Sequence, residues 1–256
     1  MAKITVVGLG PGDAEDMTPR AVAAIRQAAV VAGYHTYIRL IPEFVAGKRV
    51  LGTGMMQEIE RCQLAVAAAA AGEDTVVVSS GDAGIYGMAG LVLELLLARP
   101  QNERPVWGGV VAGISAVNAA ASLLGAPLMH DFAVISLSDL LTPWATIEKR
   151  VELAAAGDFV LALYNPKSRR RVQQIERVRD LVLQHRAPTT PVGIVTNAGR
   201  AGEQKTVTTL DAFTQAEIGM TSLVIIGNSQ TYVREGFMLT PRGYAQKAAM
   251  QTSQQA

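Results

Sequence analysis

The chain has 256 residues, of which 49% are hydrophobic and 18% charged, and its formal net charge is +1. This length and composition predict a globular protein of one large or two modest domains and exclude a disordered chain. The balance of 23 basic against 22 acidic residues argues against a nucleic-acid partner, which needs clustered positive charge. No apolar stretch is long enough to span a membrane, and the N-terminal residues predict a strand rather than a signal peptide. We therefore expect a cytoplasmic protein with no membrane partner.

The cysteine content limits the chemistry further. Cys62 is the single cysteine, so an intrachain disulfide cannot form and the thiolates for an iron–sulfur cluster are lacking. It lies in the helical pattern EIERCQLAVAAAAAG, where a free thiol packs as a small hydrophobic group. A catalytic cysteine is the alternative interpretation. We expect no metal site.

Strand and helix patterns alternate through the first half of the chain. The strands are predicted in KITVVGLG, AVVAGY, TVVVSS and PVWGGVVAG, and the helices in EIERCQLAVAAAAAG, MAGLVLELLLA and SAVNAAASLLG. Thr18-Pro19 predicts a helix start, with the threonine hydroxyl as N-cap and proline at the first helical position. Such alternation predicts a largely parallel sheet with helices on its faces.

The pattern changes around residues 126–131, where APLMHD follows a helix that we expect to end at Gly125. Further strands are predicted in FAVISLS, DFVLALYN, PVGIVTNA, QKTVTTL and TSLVIIGN, with a long helix in RRRVQQIERVRDLVLQH. We predict two α/β domains, residues 1–127 and 128–243, the second with a mixed sheet. Residues 244–256 lack apolar periodicity, and we expect a disordered tail there.

Three glycine-rich turns follow predicted strands, in VVGLGPGD, VVSSGDAGIYG and VVAGISA, and parallel strands would bring them to one edge of the sheet. The first turn lacks the spacing of a dinucleotide-binding loop, because Pro11 occupies it and the next helix starts at Thr18. The turns offer main-chain donors, the hydroxyls of Ser80 and Ser115 and the carboxylate of Asp82, but no cation. This set favours a neutral or cationic small molecule over a phosphate. Ordinary strand-to-helix turns are the alternative, and Asp82 could also cap a helix.

The motifs VGLGPGD, SSGDAGIYG and GISA, in this order and spacing, resemble the three motifs of the tetrapyrrole methyltransferases. The strings LLGAPLMHDFAVISLSDLLTPW, LYNPKSRRR and LTPRGY are most similar to the branch that methylates C-17 of precorrin-3B in cobalamin (vitamin B12) biosynthesis. The resemblance implies two α/β domains with the active-site cleft between them and a tetrapyrrole (precorrin) substrate as partner. It also implies S-adenosyl-L-methionine as methyl donor, S-adenosyl-L-homocysteine as product, and a homodimer.

The resemblance assigns roles to individual residues as well. Asp82 would accept hydrogen bonds from the ammonium group of the donor, and Asn165 and Ala198 would flank its adenine. The positions that match cofactor-binding residues of the family are Pro11, Ser80, Gly81, Asp82, Ile85, Tyr86, Ser115, Ala116, Asn165 and Ala198.

Methyl transfer from a sulfonium to carbon needs alignment of the reacting atoms rather than a protein nucleophile. In this branch the resemblance implies that methylation is coupled to contraction of the macrocycle, a step that would benefit from a general acid or base. The candidates are Asp82, His130 beside Asp131, and His35, which we also place among the substrate-binding residues. A capping or orienting role is the alternative for His130.

The cationic run KSRRR precedes or opens the predicted helix, on which Val172 and Ile175 would share an apolar face. Lys167, Arg169 and Arg170 are candidates for binding the carboxylates of a tetrapyrrole, and a solvated surface run is the alternative. The resemblance as a whole implies a C-17-methyltransferase that converts precorrin-3B to precorrin-4 with ring contraction. A cobalt-containing substrate of the anaerobic route, or a non-catalytic donor-binding relative, are the alternatives.

Overall fold

The computed structural model describes residues 2–244 and 247, and the chain divides into two compact units between Ala116 and Val117. This division precedes the expected domain boundary after residue 127. The reason is that the segment from Val117 packs on the second unit: the Leu124 side chain lies against Gly193, and Gly125 pairs with Met238. Apart from Tyr244 and Lys247, the tail that we expect to be disordered lies outside the described residues.

The first unit is built on a five-stranded sheet in the order β3-β2-β4-β1-β5, and all its strand pairs are parallel. The predicted helix start is confirmed, because the Thr18 hydroxyl accepts the Ala21 N–H at 3.1 Å. The elements are β1 Lys3–Gly8, α1 Pro19–Gln27, β2 Val30–Tyr34, α2 His35–Ile38, α3 Pro42–Val45, β3 Arg49–Thr53, α4 Glu58–Ala70, β4 Thr75–Ser79, α5 Ala89–Leu97 and β5 Val106–Val111.

Helices cover both faces of this sheet, which explains why its central strands are mostly apolar. Ile4 and Val6 of β1 pack with Cys62 and Val66 of α4 in one core cluster. Val7, on the opposite face of the same strand, packs in a second cluster that includes residues of α1. Successive side chains of a strand point to opposite faces, so both sets must be apolar when both faces are buried.

The second unit contains a mixed five-stranded sheet in the order β10-β9-β11-β8-β7 and a small sheet in the order β12-β13-β6. In the larger sheet β7 and β8 are parallel, and the β8–β11, β11–β9 and β9–β10 pairs are antiparallel. The elements are α6 Ala116–Leu124, β6 Gly125–Ala126, β7 Phe132–Ser136, α7 Trp144–Ala156, β8 Val160–Tyr164, α8 Gln174–Leu183, β9 Pro191–Thr196, β10 Gln204–Thr209, β11 Ser222–Ile226, β12 Tyr232–Arg234 and β13 Phe237–Leu239. The α/β fold with a mixed second sheet is confirmed.

The long helix expected after β8 is shorter than its pattern indicated. Ile175 and Val178 of α8 are buried in the core of the second unit as expected. Val172, however, precedes the helix and is 45% exposed, so its place on the apolar face was wrong. Residues 168–171 form a turn instead, in which the Ser168 N–H donates to the Arg171 carbonyl at 3.0 Å.

Candidate functional site

The three glycine-rich loops of the first unit meet at one edge of its sheet, as expected, because β4, β1 and β5 are neighbours. We call this edge the first rim; it comprises residues 9–13, 80–88 and 112–116. The loops after β1 and β4 are joined by a reciprocal pair of backbone hydrogen bonds between Gly10 and Gly81, at 3.1 and 2.7 Å. Gly81 and Gly10 have φ values of +67° and +77°, a left-handed conformation that strains other residues.

Three glycines hold the first rim together by close backbone contact: Gly8 at the end of β1, Gly81 in the loop after β4 and Gly113 in the loop after β5. A Cβ atom on Gly8 would lie 2.7 Å from both the Gly113 nitrogen and the Gly81 oxygen. A Cβ on Gly113 would collide with the same Gly81 oxygen and with the backbone of Gly8. At Gly8 and Gly113 the backbones therefore approach so closely that any side chain is excluded, and only main-chain groups line this part of the rim.

Asp82 connects two of these loops through its carboxylate. Its Oδ1 accepts the Gly84 N–H at 2.8 Å within its own loop, and its Oδ2 accepts the Gly113 N–H at 3.0 Å across the rim. The helix-capping alternative is wrong, because α5 begins only at Ala89, after Met88, and has no side-chain cap. The half-buried carboxylate thus fixes the rim while remaining at its surface.

Apolar side chains complete the first rim. Ile85 and Ile114 are 37% and 38% exposed, and Tyr86 is 54% exposed with a left-handed φ of +53°. Pro11 and Ser115 are buried; the remaining predicted donor-site residues of this rim, Ser80 and Ala116, are half-buried. The rim therefore presents main-chain groups, apolar surface and two carboxylates, of which Asp82 joins two loops and the exposed Asp13 accepts the Glu15 N–H, and residues 9–13, 80–88 and 112–116 contain no Lys, Arg or His.

His35 lies elsewhere in the first unit, at the carboxyl end of β2. It begins α2, it is exposed, and its Nδ1 atom is 2.5 Å from where a Cβ on Gly52 of β3 would lie. Nearby, the buried Arg61 donates from Nε to the Thr53 hydroxyl at 2.8 Å and from Nη2 to the Gly54 carbonyl at 2.9 Å. His35 thus faces solvent beside a loop that Arg61 holds in place.

The second unit has a comparable edge where β7, β8 and β9 end, which we call the second rim, comprising residues 137–143, 165–173 and 197–202. Asn165 directly follows β8 and has a φ of +50°. Its side-chain nitrogen donates to the Ser136 hydroxyl at 3.0 Å, at the end of β7. The Tyr164 hydroxyl accepts the N–H of Val117 at 3.0 Å, which ties the start of α6 to this rim.

Ala198 lies in the turn that follows β9. The preceding residue, Asn197, has a φ of +55°, and its carbonyl accepts the Arg200 N–H at 2.9 Å. The Gly199 N–H donates to the Glu203 carboxylate at 2.7 Å. Ala198 is half-buried within this hydrogen-bonded turn, so the turn presents backbone and a methyl group rather than a polar side chain.

The comparisons with known proteins agree with this arrangement. Residues 3–214 match the model of the family described as Tetrapyrrole (Corrin/Porphyrin) Methylases. The chain belongs to this family. The resemblance of the three motifs to the tetrapyrrole methyltransferases is therefore confirmed, and these motifs are the loops that meet at the first rim.

Individual relatives of this tetrapyrrole methylase carry more specific names. This chain is 52% identical to the "Probable cobalt-factor III C(17)-methyltransferase" of Salmonella typhimurium over 241 residues. The match covers 94% of this chain and 99% of the relative. The crystal structure of the methyltransferase CobJ matches with a TM-score of 0.86 at 35% identity, covering 94% of this chain and all of that one. A uroporphyrin-III C-methyl transferase of Thermus thermophilus, complexed with S-adenosyl homocysteine, shares the fold with a TM-score of 0.67 at 24% identity, covering 88% and 97%.

The cationic run of this tetrapyrrole methylase separates into exposed and buried members. Arg169 and Arg170 are exposed, and Lys167 is half-buried. Arg171, which sequence reasoning did not select, is 7% exposed, and its Nη2 atom donates to the Asn165 carbonyl at 2.7 Å. Because the run precedes α8, helical periodicity carried no signal that could have distinguished Arg171 from its neighbours.

His130 is exposed on the segment between β6 and β7. Its Nδ1 accepts the N–H of Asp131 at 3.0 Å and lies 3.9 Å from the Asp131 carboxylate. The orienting alternative has this direct support, because the ring is held by the backbone of the next residue. The Nε2 atom is then the position from which the ring could exchange a proton with a substrate.

Cys62 has the character of a packing residue in this methylase. It is buried in α4, and burial raises the pKa of its thiol to about 11, with an opposing contribution from Arg61. A thiol in this state is protonated at neutral pH and is a poor nucleophile. Within residues 2–244 and 247, no group of three or more His, Cys, Asp or Glu residues could hold a metal ion. No described helix is long and apolar enough to cross a membrane.

Proposed function

We propose that this tetrapyrrole methylase transfers the methyl group of S-adenosyl-L-methionine to C-17 of a cobalamin precursor and thereby promotes contraction of the macrocycle. The observation that carries the proposal is the meeting of the three motif loops at the first rim, with Asp82 at its centre. The choice of C-17 rests on the name of the Salmonella relative, which matches along 99% of its length.

The donor set of the first rim fits a sulfonium amino acid better than a nucleotide phosphate. A carboxylate without a neighbouring cation suits the ammonium group of the donor, which makes a charge-assisted hydrogen bond with Asp82. Ile85, Tyr86 and Ile114 supply exposed apolar surface for the methionine chain and the adenosyl group. Pro11, Ser80, Gly81, Ser115 and Ala116 contribute backbone and small side chains to the same site.

In the second unit, Asn165 and Ala198 contribute to adenine binding in this proposal. Both follow sheet strands and lie in hydrogen-bonded turns whose backbone is fixed by neighbouring residues. When bound, the donor supplies an electrophilic methyl group and leaves as the neutral thioether S-adenosyl-L-homocysteine. The chain's own contribution to that step is alignment and exclusion of water, which needs no protein nucleophile.

The substrate groups are assigned to exposed and half-buried side chains. Arg169, Arg170 and Lys167 bind acetate and propionate carboxylates, for which a guanidinium offers paired donors. His35 contributes a further polar contact. For ring contraction, His130 is the proposed acid or base because its Nε2 atom is directed away from the Asp131 bond, and Asp82 is the second candidate.

The substrate that the relatives favour is the cobalt-containing one. The Salmonella relative at 52% identity is named for cobalt-factor III, so we propose cobalt-factor III ahead of the metal-free precorrin-3B that the sequence motifs suggested. The cobalt ion would belong to the substrate and would not need ligands from the chain. Precorrin-3B, the substrate that the resemblance of the motifs implies, remains the second candidate.

The decisive experiment offers purified protein each tetrapyrrole separately together with donor carrying a ¹³C-labelled methyl group. Mass spectrometry and visible spectra should show a labelled, ring-contracted product with cobalt-factor III and much less with precorrin-3B. The reverse preference would overturn the substrate assignment. Binding of S-adenosyl-L-homocysteine without turnover of either would favour a non-catalytic donor-binding protein, and binding of neither ligand would overturn the proposal. The expected homodimer and cytoplasmic location stay predictions.

A further inference from the structure

Arg171 stands apart from the rest of its cationic run. Its side chain is 8% exposed, whereas Arg169 and Arg170 face solvent. A guanidinium buried to this extent gives up hydration and must recover it through specific partners. The two Nη atoms of Arg171 have such partners, whereas its Nε atom is buried without a hydrogen-bond partner among the described residues.

The partners of Arg171 come from two loops of the second rim. Its Nη2 donates to the Asn165 carbonyl at 2.7 Å, and its Nη1 is 3.8 Å from Oδ1 of Asp139, in the loop after β7. Oδ2 of the same carboxylate accepts a hydrogen bond from Gln174 at 3.0 Å. Two hydrogen bonds between Ser168 and Arg171 close the turn. The Ser168 N–H donates to the Arg171 carbonyl, and the Arg171 N–H donates to the Ser168 hydroxyl.

The residue that Arg171 contacts most closely is one whose backbone needs support. Asn165 adopts a φ of +50°, a left-handed conformation that asparagine tolerates better than most residues but that remains less favourable than the helical or extended regions. The Arg171 bond to its carbonyl and the Ser136 bond to its side chain hold this residue from two directions. Removing either one should let the turn relax.

We propose that Arg171 is a positioning residue for donor binding: it fixes the left-handed conformation of Asn165 and thereby the adenine contact of the second unit. This inference rests on the proposed function, in which Asn165 contributes to the donor site. It gives the members of the KSRRR run two different roles, since the exposed Arg169 and Arg170 bind the tetrapyrrole and the buried Arg171 supports the donor site.

The second unit offers a matched control at the opposite end of the same strand. Arg186 is 6% exposed, donates to the carbonyls of Phe159 and Gly227, and lies 3.8 Å from the Asp158 carboxylate. Phe159 directly precedes β8, whereas Asn165 directly follows it. Both arginines therefore combine deep burial, backbone acceptors and a carboxylate at the same distance, but Arg186 supports the end of β8 that is remote from the second rim.

The test compares Arg171→Gln and Arg186→Gln with the parent by thermal unfolding and by calorimetric titration with S-adenosyl-L-homocysteine. Both variants should lose thermal stability, because each removes a buried cation from its acceptors. The dissociation constant should rise roughly tenfold for Arg171→Gln, as expected for losing a hydrogen bond from a charged group. For Arg186→Gln it should change by less than about twofold, since the site is distant. Arg171→Lys, which keeps one donor for the Asn165 carbonyl, should give an intermediate value.

A double-mutant cycle identifies the route of the effect. If Arg171 acts through Asn165, the effects of Arg171→Gln and Asn165→Gly on the dissociation constant should be clearly non-additive. Equal affinity for parent and Arg171→Gln, equal losses in the two arginine variants, or strict additivity with Asn165→Gly would each overturn the inference. If Arg171→Gln does not fold, Arg171→Lys decides the same comparison. A parent that fails to bind the ligand would instead overturn the proposed donor site.

Discussion

The two rims both hold several loops at the end of a sheet, but they do so by different means. The first rim is joined by backbone: the main chains of Gly8, Gly81 and Gly113 pack so closely that side chains are excluded at Gly8 and Gly113, and Asp82 adds bonds to two N–H groups. The second rim is joined by side chains, with Arg171 and Ser136 converging on Asn165. Substitutions in the first rim should therefore act sterically and severely, whereas those in the second should act in graded steps.

The largest expected effect tests the steric character of the first rim. The Gly113→Ala variant places a methyl group against the Gly81 carbonyl and the Gly8 backbone, and no flexible side chain can move aside. We expect a loss of about 1–3 kcal/mol in the free energy of unfolding, as for overpacking of a close contact. Binding of S-adenosyl-L-homocysteine should be abolished, because the loops can no longer approach each other. Urea unfolding and calorimetry measure the two effects.

Gly90→Ala is the control for this prediction. Gly90 lies in α5, where a Cβ atom would meet nothing within 4 Å outside the helix itself. Alanine should stabilise this helix by roughly 0.5–1 kcal/mol and leave ligand binding unchanged. If Gly113→Ala proved as stable as Gly90→Ala and bound ligand normally, the close packing of the first rim would not be essential.

The next effect in size concerns Asp82, the side chain that joins two loops of the first rim and, in the proposed function, binds the methyl donor. Asp82→Ala leaves the N–H groups of Gly84 and Gly113 without their acceptor, which costs roughly 1–3 kcal/mol for each group that stays buried. Ligand affinity should fall as well, because the proposed partner of the donor ammonium group is removed. Asp82→Asn keeps one acceptor oxygen but no negative charge. It should therefore retain most of the parental free energy of unfolding while its ligand affinity falls.

Asp74→Ala provides the matching control at the opposite end of the same sheet. Asp74 also accepts a backbone N–H, from Lys3 at 2.8 Å where β1 begins. The Asp74→Ala variant should have a lower free energy of unfolding than the parent but the same ligand affinity. Equal affinities for the Asp82 and Asp74 variants would reduce Asp82 to a structural role.

The sequence was more informative about the first rim than about the second. Glycine-rich turns after apolar strands predict both the parallel sheet and the edge where the loops meet, because these depend on strand direction and backbone freedom. The second rim depends on which side chains are buried, and a run such as KSRRR outside a helix has no periodicity to reveal this. Hence Arg171 was missed and Val172 was assigned to the wrong environment.

Element boundaries show the same limitation. The apolar helix α6 was predicted correctly. The expected boundary after residue 127 groups it with the first domain, whereas its contacts, such as Leu124 against Gly193, group it with the second unit, and local pattern does not show such contacts. Similarly, β3 is an edge strand with half-exposed residues, and its weak apolar signal left it unassigned. Tertiary contacts decide these features, and they are not encoded in the spacing of neighbouring residues.

The smallest expected effect tests whether the exposed part of the cationic run belongs to a substrate site. Arg169→Ala and Arg170→Ala should leave the free energy of unfolding nearly unchanged, since both side chains are exposed. Donor affinity should also stay at the parental value, because Arg171 and Asn165 are intact. The apparent KM for the tetrapyrrole should rise, and the difference from the parent should shrink at high salt, because exposed charges are screened.

Arg150→Ala, on the exposed side of α7, is the control for a general change in surface charge. A KM shift of the same size in all three variants would show that Arg169 and Arg170 belong to the solvated surface and not to a substrate site. A KM shift confined to Arg169→Ala and Arg170→Ala would show that exposed side chains of the second rim contribute to substrate binding. The second rim would then act through individual side chains, whereas the first rim depends on backbone contacts.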